Sequence, residues 1–171
     1  ELLRAAKDYL SQGFSVIPVM AIPETGRKVA LVKWEEFQHR RPTLEEVESW
    51  FLHPEQFPAL RNGKNKLGLA IVTGKISGNL LVIDFDGEKP ASEVLPELKE
   101  KYPDIFLKFL NTWIVKTGKG VHYYFRIKDP ENLDPKLFGN RIGIRLGIDI
   151  RAEGGYVVAP PSPHPSGSCY E

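Results

Sequence analysis

Leu80-Leu81-Val82-Ile83-Asp84-Phe85-Asp86-Gly87 is an apolar run that ends abruptly in two carboxylates and a glycine. Read as a strand, it sends successive side chains to opposite faces, so Asp84 and Asp86 project from one face and Ile83 and Phe85 from the other. Two ionised groups side by side repel each other unless a cation sits between them, and Mg²⁺ and Mn²⁺ prefer such oxygen ligands. A strand closed by an ordinary Asp-Gly turn reads equally well from these residues alone. The decision rests on the rest of the chain.

Upstream, Leu2, Leu3, Ala6, Tyr9 and Leu10 recur at helical spacing over residues 2–12, with Gly13 as the stop. A strand over Phe14 to Val19 follows, then a loop over Pro23 to Lys28 and a short strand over Val29 to Val32. Thr43 with Glu46 three residues on predicts a capping box, opening a helix that turns Val47, Trp50 and Phe51 inward. Leu67 to Val72 reads as a buried strand, and Gly74 to Asn79 turns the chain into the aspartate run.

Downstream, Val94, Leu95, Leu98 and Tyr102 predict a helix over Ala91 to Tyr102, with Pro96 at a restart or an early-turn position. Thr112 to Lys116 and Val121 to Ile127 flank Thr117-Gly118-Lys119-Gly120 and predict a hairpin. Ile142, Ile144, Leu146, Ile148 and Ile150 alternate with Arg141, Gly143, Arg145, Gly147, Asp149 and Arg151, which predicts one strand with an apolar and a polar face. Tyr156 to Ala159 predicts a last strand before the irregular stretch from Pro160 to Gly167.

A chain of 171 residues, 42% apolar and 26% charged, suits one soluble globular domain. Its apolar runs are too short to span a membrane and its first residues lack a signal peptide, so a cytoplasmic location and no membrane partner are expected. Cys169 is the single cysteine and the four histidines show no metal-ligand spacing, so no structural zinc is expected in this segment. A net charge of +1 neither demands nor excludes nucleic acid. With no initiating Met and a Pro-rich close, the sequence reads as a segment of something longer.

Three polar clusters sit on strands whose other faces are apolar, so one surface can carry them all. Asp84, Asp86 and Asp149 supply carboxylates, and Lys119 and His122 supply cations or donors. Three convergent carboxylates suit two-metal phosphoryl or nucleotidyl transfer. The glycines of Gly118-Lys119-Gly120 let backbone N–H groups approach phosphate oxygens closely. Plainer roles stay open: Lys119 as a hairpin tip, His122 as a structural histidine, Arg141 and Arg145 as a solvated face, and Asp149 as the partner of Arg145 or Arg151.

In combination these residues resemble the bifunctional DNA primase/polymerase (prim-pol) domain of the archaeo-eukaryotic primase superfamily. Asp84-Phe85-Asp86 matches its acid-x-acid motif, Thr117 to Phe125 its His-containing Gly-rich hairpin, and Ile148-Asp149 its third motif. Gly13 to Pro18 and Arg151 to Ser162 resemble its typical opening and close. The resemblance implies an α+β fold, in which an RRM-like antiparallel catalytic sheet over 79–171, with helices on one face, joins an N-terminal α/β unit over 1–78. It implies template-directed addition of nucleoside triphosphates to a 3′-hydroxyl, with primer synthesis de novo as a further activity. Asp84, Asp86 and Asp149 would hold two Mg²⁺ or Mn²⁺ ions, and His122 would contact the triphosphate. Thr117 of the hairpin motif is also assigned to the nucleotide site; charge and placement add Lys119 and Arg151 to it, and Arg141 and Arg145 to a nucleic-acid surface. The implied partners are single-stranded DNA template, primer and nucleoside triphosphates, with a C-terminal helical or helicase domain in the full-length protein.

Two other readings compete. Leu81 to Gly87 also resembles the nucleophile loop of haloacid-dehalogenase-like phosphatases, although 83 residues precede Asp84, Glu88 replaces the usual Thr or Val, and no later acidic pair ends a strand. A non-catalytic RRM-like nucleic-acid-binding module would use the arginines with Trp113, Tyr123 and Tyr124, but leaves the acids unexplained.

Overall fold

The computed structural model describes residues 1–145 and 147–171, and the side chains of all of these except Glu88 and Lys89. Among the described residues nine strands form two sheets, and every neighbouring pair is antiparallel. Helices α1 (Leu2–Ser11) and α2 (Leu44–Leu52) accompany a first sheet built from β1 (Ser15–Ile22), β2 (Arg27–Ala30), β3 (Lys66–Val72) and β9 (Tyr156–Ala159), in the order β2-β1-β3-β9. The second sheet contains β4 (Leu80–Phe85), β5 (Trp113–Lys116), β6 (Val121–Arg126), β7 (Arg141–Arg145) and β8 (Ile148–Arg151), in the order β5-β6-β4-β8-β7. Helices α3 (Glu88–Lys101) and α4 (Pro103–Leu110) connect β4 to β5. This is the expected α+β architecture. Among the described residues no helix is long and apolar enough to cross a membrane.

The two faces of the second sheet have different neighbours, and strand alternation explains the division. Val82 and Tyr124 join one continuous core with Ala6, Val47 and Trp50 of the N-terminal helices and with Val16, Ile71 and Val158 of the first sheet. The intervening residues Ile83, Phe85, Tyr123 and Phe125 belong to a second core with Ile148, Phe109 of α4, and Val94, Leu95 and Leu98 of α3. One side of β4 is therefore covered by helices, and the other begins under the first sheet and emerges from it at Asp84. Truncating a fully buried ring such as Phe85 to Ala costs roughly 3–5 kcal/mol.

The capping box forms as predicted: the Thr43 hydroxyl accepts the Glu46 N–H at 3.2 Å and the Glu46 carboxylate accepts the Thr43 N–H at 2.8 Å. Four expectations change. The turn after Ile22 closes through the Gly26 N–H on the Ile22 carbonyl at 2.9 Å, so β2 starts at Arg27 and takes up residues expected in a loop. Helix α3 begins directly after Gly87 and runs through Pro96 without a restart. Helix α4, opened by Pro103 at a first-turn position, is additional to the predicted elements.

The fourth change is the largest. The stretch 141–151 is not one strand but the hairpin β7–β8, in which Arg145 pairs with Ile148 and Arg141 with Ile150. Gly147 reverses the chain at φ +72°, a left-handed backbone that favours glycine, and an added Cβ there would lie 2.9 Å from the Asp86 carbonyl oxygen. The alternation therefore does not mark one buried face: Ile142 and Ile144 lie on the outer strand, 70% and 48% exposed. Leu146, counted in that alternation, lies outside the described residues.

Candidate active site

Asp84 lies on the central strand of the second sheet, and the register sets His122 of β6 opposite it on one side and Asp149 of β8 opposite it on the other. His122, 5% exposed, brings Nε2 to 3.4 Å from Asp84 Oδ1. Its Nδ1 is buried without a partner, and its ring lies 5.8 Å from that of Tyr170. Partial burial pushes the Asp84 carboxyl up, but the hydrogen bond and charge of His122, with Arg151 and Lys28, outweigh that and hold it below the ordinary aspartate range. The side chain remains 23% exposed, open to a cleft of about 280 Å³ between the sheets.

Asp86 follows the end of β4 and is exposed. Its N–H donates to the Gly147 carbonyl at 2.8 Å, which ties the end of the aspartate strand to the β7–β8 turn. Its charge acts on Lys28, His164 and Tyr170 around the same cleft. Asp149 is engaged at both oxygens: Oδ1 accepts the Gly143 N–H at 2.7 Å and Oδ2 accepts from Arg151 Nη2 at 2.7 Å. Among the described residues no group of three or more His, Cys, Asp or Glu side chains is gathered closely enough to hold a metal ion. Asp84 and Asp86 still supply the carboxylate oxygens that hard divalent cations favour, at a solvent-accessible strand end, so these two fit such an ion. Asp149 stands beside Asp84 in register, with Arg151 as its present partner.

The β5–β6 turn is organised by Thr117, whose Oγ1 accepts the N–H groups of Gly120 at 2.9 Å and Lys119 at 3.3 Å. Both N–H groups are thus engaged within the turn, and the Thr117 hydroxyl proton remains able to donate. The glycines have a packing reason as well. A Cβ on Gly120 would fall 1.8 Å from the Phe85 carbonyl oxygen, and one on Gly118 would fall 2.0 Å from His164 Nδ1. Lys119 is exposed at the tip.

The hairpin separates the arginines. Arg151 lines the cleft with Asp84 and His122. Arg145, in register with Ile148 of the helix-side core, pairs with Glu97 of α3 at 3.2 Å. Arg141 donates to the Leu137 carbonyl at 3.4 Å and leaves Nε buried and unpartnered. The register therefore aligns His122, Asp84 and Asp149, with Arg151 beside them at the cleft; Asp86 lies just past the strand end, and Arg145 turns to the helix side.

Several groups at the cleft carry no sequence signal. Lys28 reaches it from β2, and Trp34, Tyr156 and Tyr170 form aromatic walls, with the Trp34 and Tyr156 rings 5.0 Å apart and edge to face. His164 meets the glycine turn from the C-terminal stretch. Only their tertiary placement reveals them at the cleft: Tyr156 falls in the predicted last strand, and Lys28, Trp34, His164 and Tyr170 lie outside the motifs.

An α+β domain with carboxylates at the end of a central strand and cations around a cleft is thus defined. The chain belongs to the family of bifunctional DNA primase/polymerase N-terminal domains, whose profile it matches over residues 6–171. No curated protein matches the chain. The family makes it a DNA primase/polymerase domain, with DNA and nucleotides as the implied substrates.

Proposed function

We propose that this domain adds nucleoside triphosphates to the 3′-hydroxyl of a primer on single-stranded DNA, and that it uses Mg²⁺ or Mn²⁺. The observation that carries the reading is the register of the second sheet, which aligns His122, Asp84 and Asp149 across three adjacent strands in a chain of this family. Asp84 and Asp86 would hold the divalent cations, with Asp149 joining them by releasing Arg151. Bound there, the cations would neutralise developing charge on the phosphates and favour ionisation of the attacking hydroxyl.

The chain's own groups do the rest. Asp84 is ionised at neutral pH because its pKa is held down. His122 fixes one of its oxygens and, when protonated, adds positive charge beside the phosphates. Arg151 and Lys119 supply further positive charge, and the Thr117 hydroxyl adds a donor at the turn. The core on the helix-covered face packs against β4 and supports the strand from which Asp84 projects.

Primer extension tests this reading directly, on primed single-stranded DNA with deoxyribo- and ribonucleotides and with Mg²⁺ or Mn²⁺; an unprimed template tests synthesis de novo. Extension should require the metal, stop with EDTA while the protein stays folded, and vanish in Asp84→Ala. An Asp84→Ala, Asp86→Ala double variant that still extends the primer overturns the reading.

A further inference from the structure

Lys28 belongs to β2, the outer strand of the first sheet, where it pairs with Ala21 of β1. It nevertheless lines the cleft that holds Asp84, His122 and Arg151 of the second sheet. An outer-strand lysine can place its ammonium in bulk water at no electrostatic cost. Lys28 as a whole is exposed, but where it lines the cleft partial desolvation lowers the pKa of its ammonium below the ordinary lysine value, with Asp84 and Asp86 pulling it up and Lys119 and Arg151 lowering it further. Among the described residues the Lys28 ammonium makes no hydrogen bond or ion pair, and the acids act on it only through their charge.

Two cations thus line one cleft from two elements, Lys28 from β2 and Arg151 from β8, and the charge of Lys119 on the exposed β5–β6 turn also acts on Lys28. Arg151 has Asp149 as a partner, whereas Lys28 and Lys119 are free of one among the described residues. A divalent cation on Asp84 and Asp86 would cancel the negative charge that offsets Lys28. The lysine would then face a site with excess positive charge, which suits an anion carrying several charges. Trp34 and Tyr156 form an aromatic wall beside it, which lowers the local dielectric and so favours an ammonium–phosphate contact.

We propose that Lys28 is a substrate-binding residue that grips the polyphosphate of the incoming nucleoside triphosphate, so that the first sheet supplies part of the nucleotide site. This deepens the nucleotidyl-transfer reading and rests on it. The two strands then act as jaws, with the acids on β4 and the lysine on β2.

The test is binding of dATP, ATP, dAMP and a labelled oligothymidylate to the whole domain at saturating Mg²⁺, in wild type, Lys28→Gln and Lys28→Arg. Removal of one charge-assisted contact should weaken triphosphate binding about 10- to 100-fold in Lys28→Gln. Affinity for dAMP and for the oligonucleotide should change less than about threefold on the same argument, and Lys28→Arg should recover most of the loss. If Lys28 is only a counter-ion for the acids, Lys28→Gln will bind Mg²⁺ more tightly and triphosphate unchanged, which overturns the proposal. A selective loss of oligonucleotide binding overturns it too, by moving Lys28 to the template. A wild-type domain that binds neither triphosphate overturns the nucleotidyl-transfer reading, and the role of Lys28 with it; normal wild-type binding with an unaffected Lys28→Gln overturns the role of Lys28 alone.

Discussion

Asp84 and His122 face each other across neighbouring strands with Oδ1 and Nε2 3.4 Å apart, and His122 is the more deeply buried of the two. The histidine therefore sets the electrostatics of the carboxylate from beneath it. Removing it in His122→Ala takes away the hydrogen bond and charge that hold the Asp84 pKa down, so the carboxyl rises. The acid limb of the pH–rate profile for primer extension should move to higher pH, with a rate loss of about 10- to 100-fold for one charge-assisted contact. His122→Gln, which keeps a donor and loses the charge, should fall between the two. An unmoved acid limb would detach His122 from Asp84.

The same pair predicts a pH dependence of stability. A carboxyl whose folded pKa lies below its unfolded value contributes stability that is complete above the ordinary aspartate pKa of about 4 and is lost as the pH falls through the folded value. Asp84 is such a group. The urea midpoint of wild type should decline relative to that of Asp84→Asn as the pH is lowered below about 4. A wild-type advantage that grows toward acid would reverse the assigned direction.

Two roles can be separated experimentally at Asp149. As the partner of Arg151 it is half of a partly exposed ion pair worth about 0–1 kcal/mol, so Asp149→Asn should shift stability by no more than that. As a metal ligand it holds charge that Asn lacks, and extension should then fall by several orders of magnitude while triphosphate affinity falls less. Extension rate and nucleotide affinity measured side by side decide between them. Near-normal extension leaves Asp149 as the positioner of Arg151.

Gly120→Ala is a structural prediction with a functional readout. The added Cβ would meet the Phe85 carbonyl oxygen, backbone that cannot swing aside. Forced displacement of this kind costs about 1–3 kcal/mol. The urea midpoint should drop accordingly, and nucleotide affinity should fall because the Lys119 turn moves away from β4. Unchanged stability would show that the hairpin can shift without strain.

The legibility of the chain follows the range of the forces involved. The strand that carries Asp84 and the Thr43–Glu46 box depend on neighbours within a few residues, and both read correctly from the sequence. The β7–β8 hairpin does not, because its alternation of Ile and Arg is that of a strand and the deciding feature is the backbone conformation of Gly147. The placement of Arg145 failed with it, since the reversal sends that side chain to Glu97. Lys28 and His164 are legible only in space: a lysine in an outer strand and a histidine among prolines give no pattern, and the fold alone brings them to the acids.

The course of the chain through its sheets has a consequence for how the domain is made. It lays down β1 to β3 in the first sheet and β4 to β8 in the second, and then returns to the first as β9 against β3. It then reaches the second again, where Glu171 exchanges backbone hydrogen bonds of 2.7 and 3.1 Å with Lys116. Tyr170, 2% exposed, is buried beside it. The two sheets are laced together by residues 156–171, which follow every strand of the second sheet in the chain. During translation the acid-bearing strand can find its neighbours β6 and β8 while the edge of β3 is still bare, and that edge is open to intermolecular strand pairing until residues 156–159 emerge. Maturation of the cleft is thereby coupled to completion of the domain, and a nascent chain stalled before Tyr156 would carry its carboxylates without the clasp that holds the opposite jaw in place.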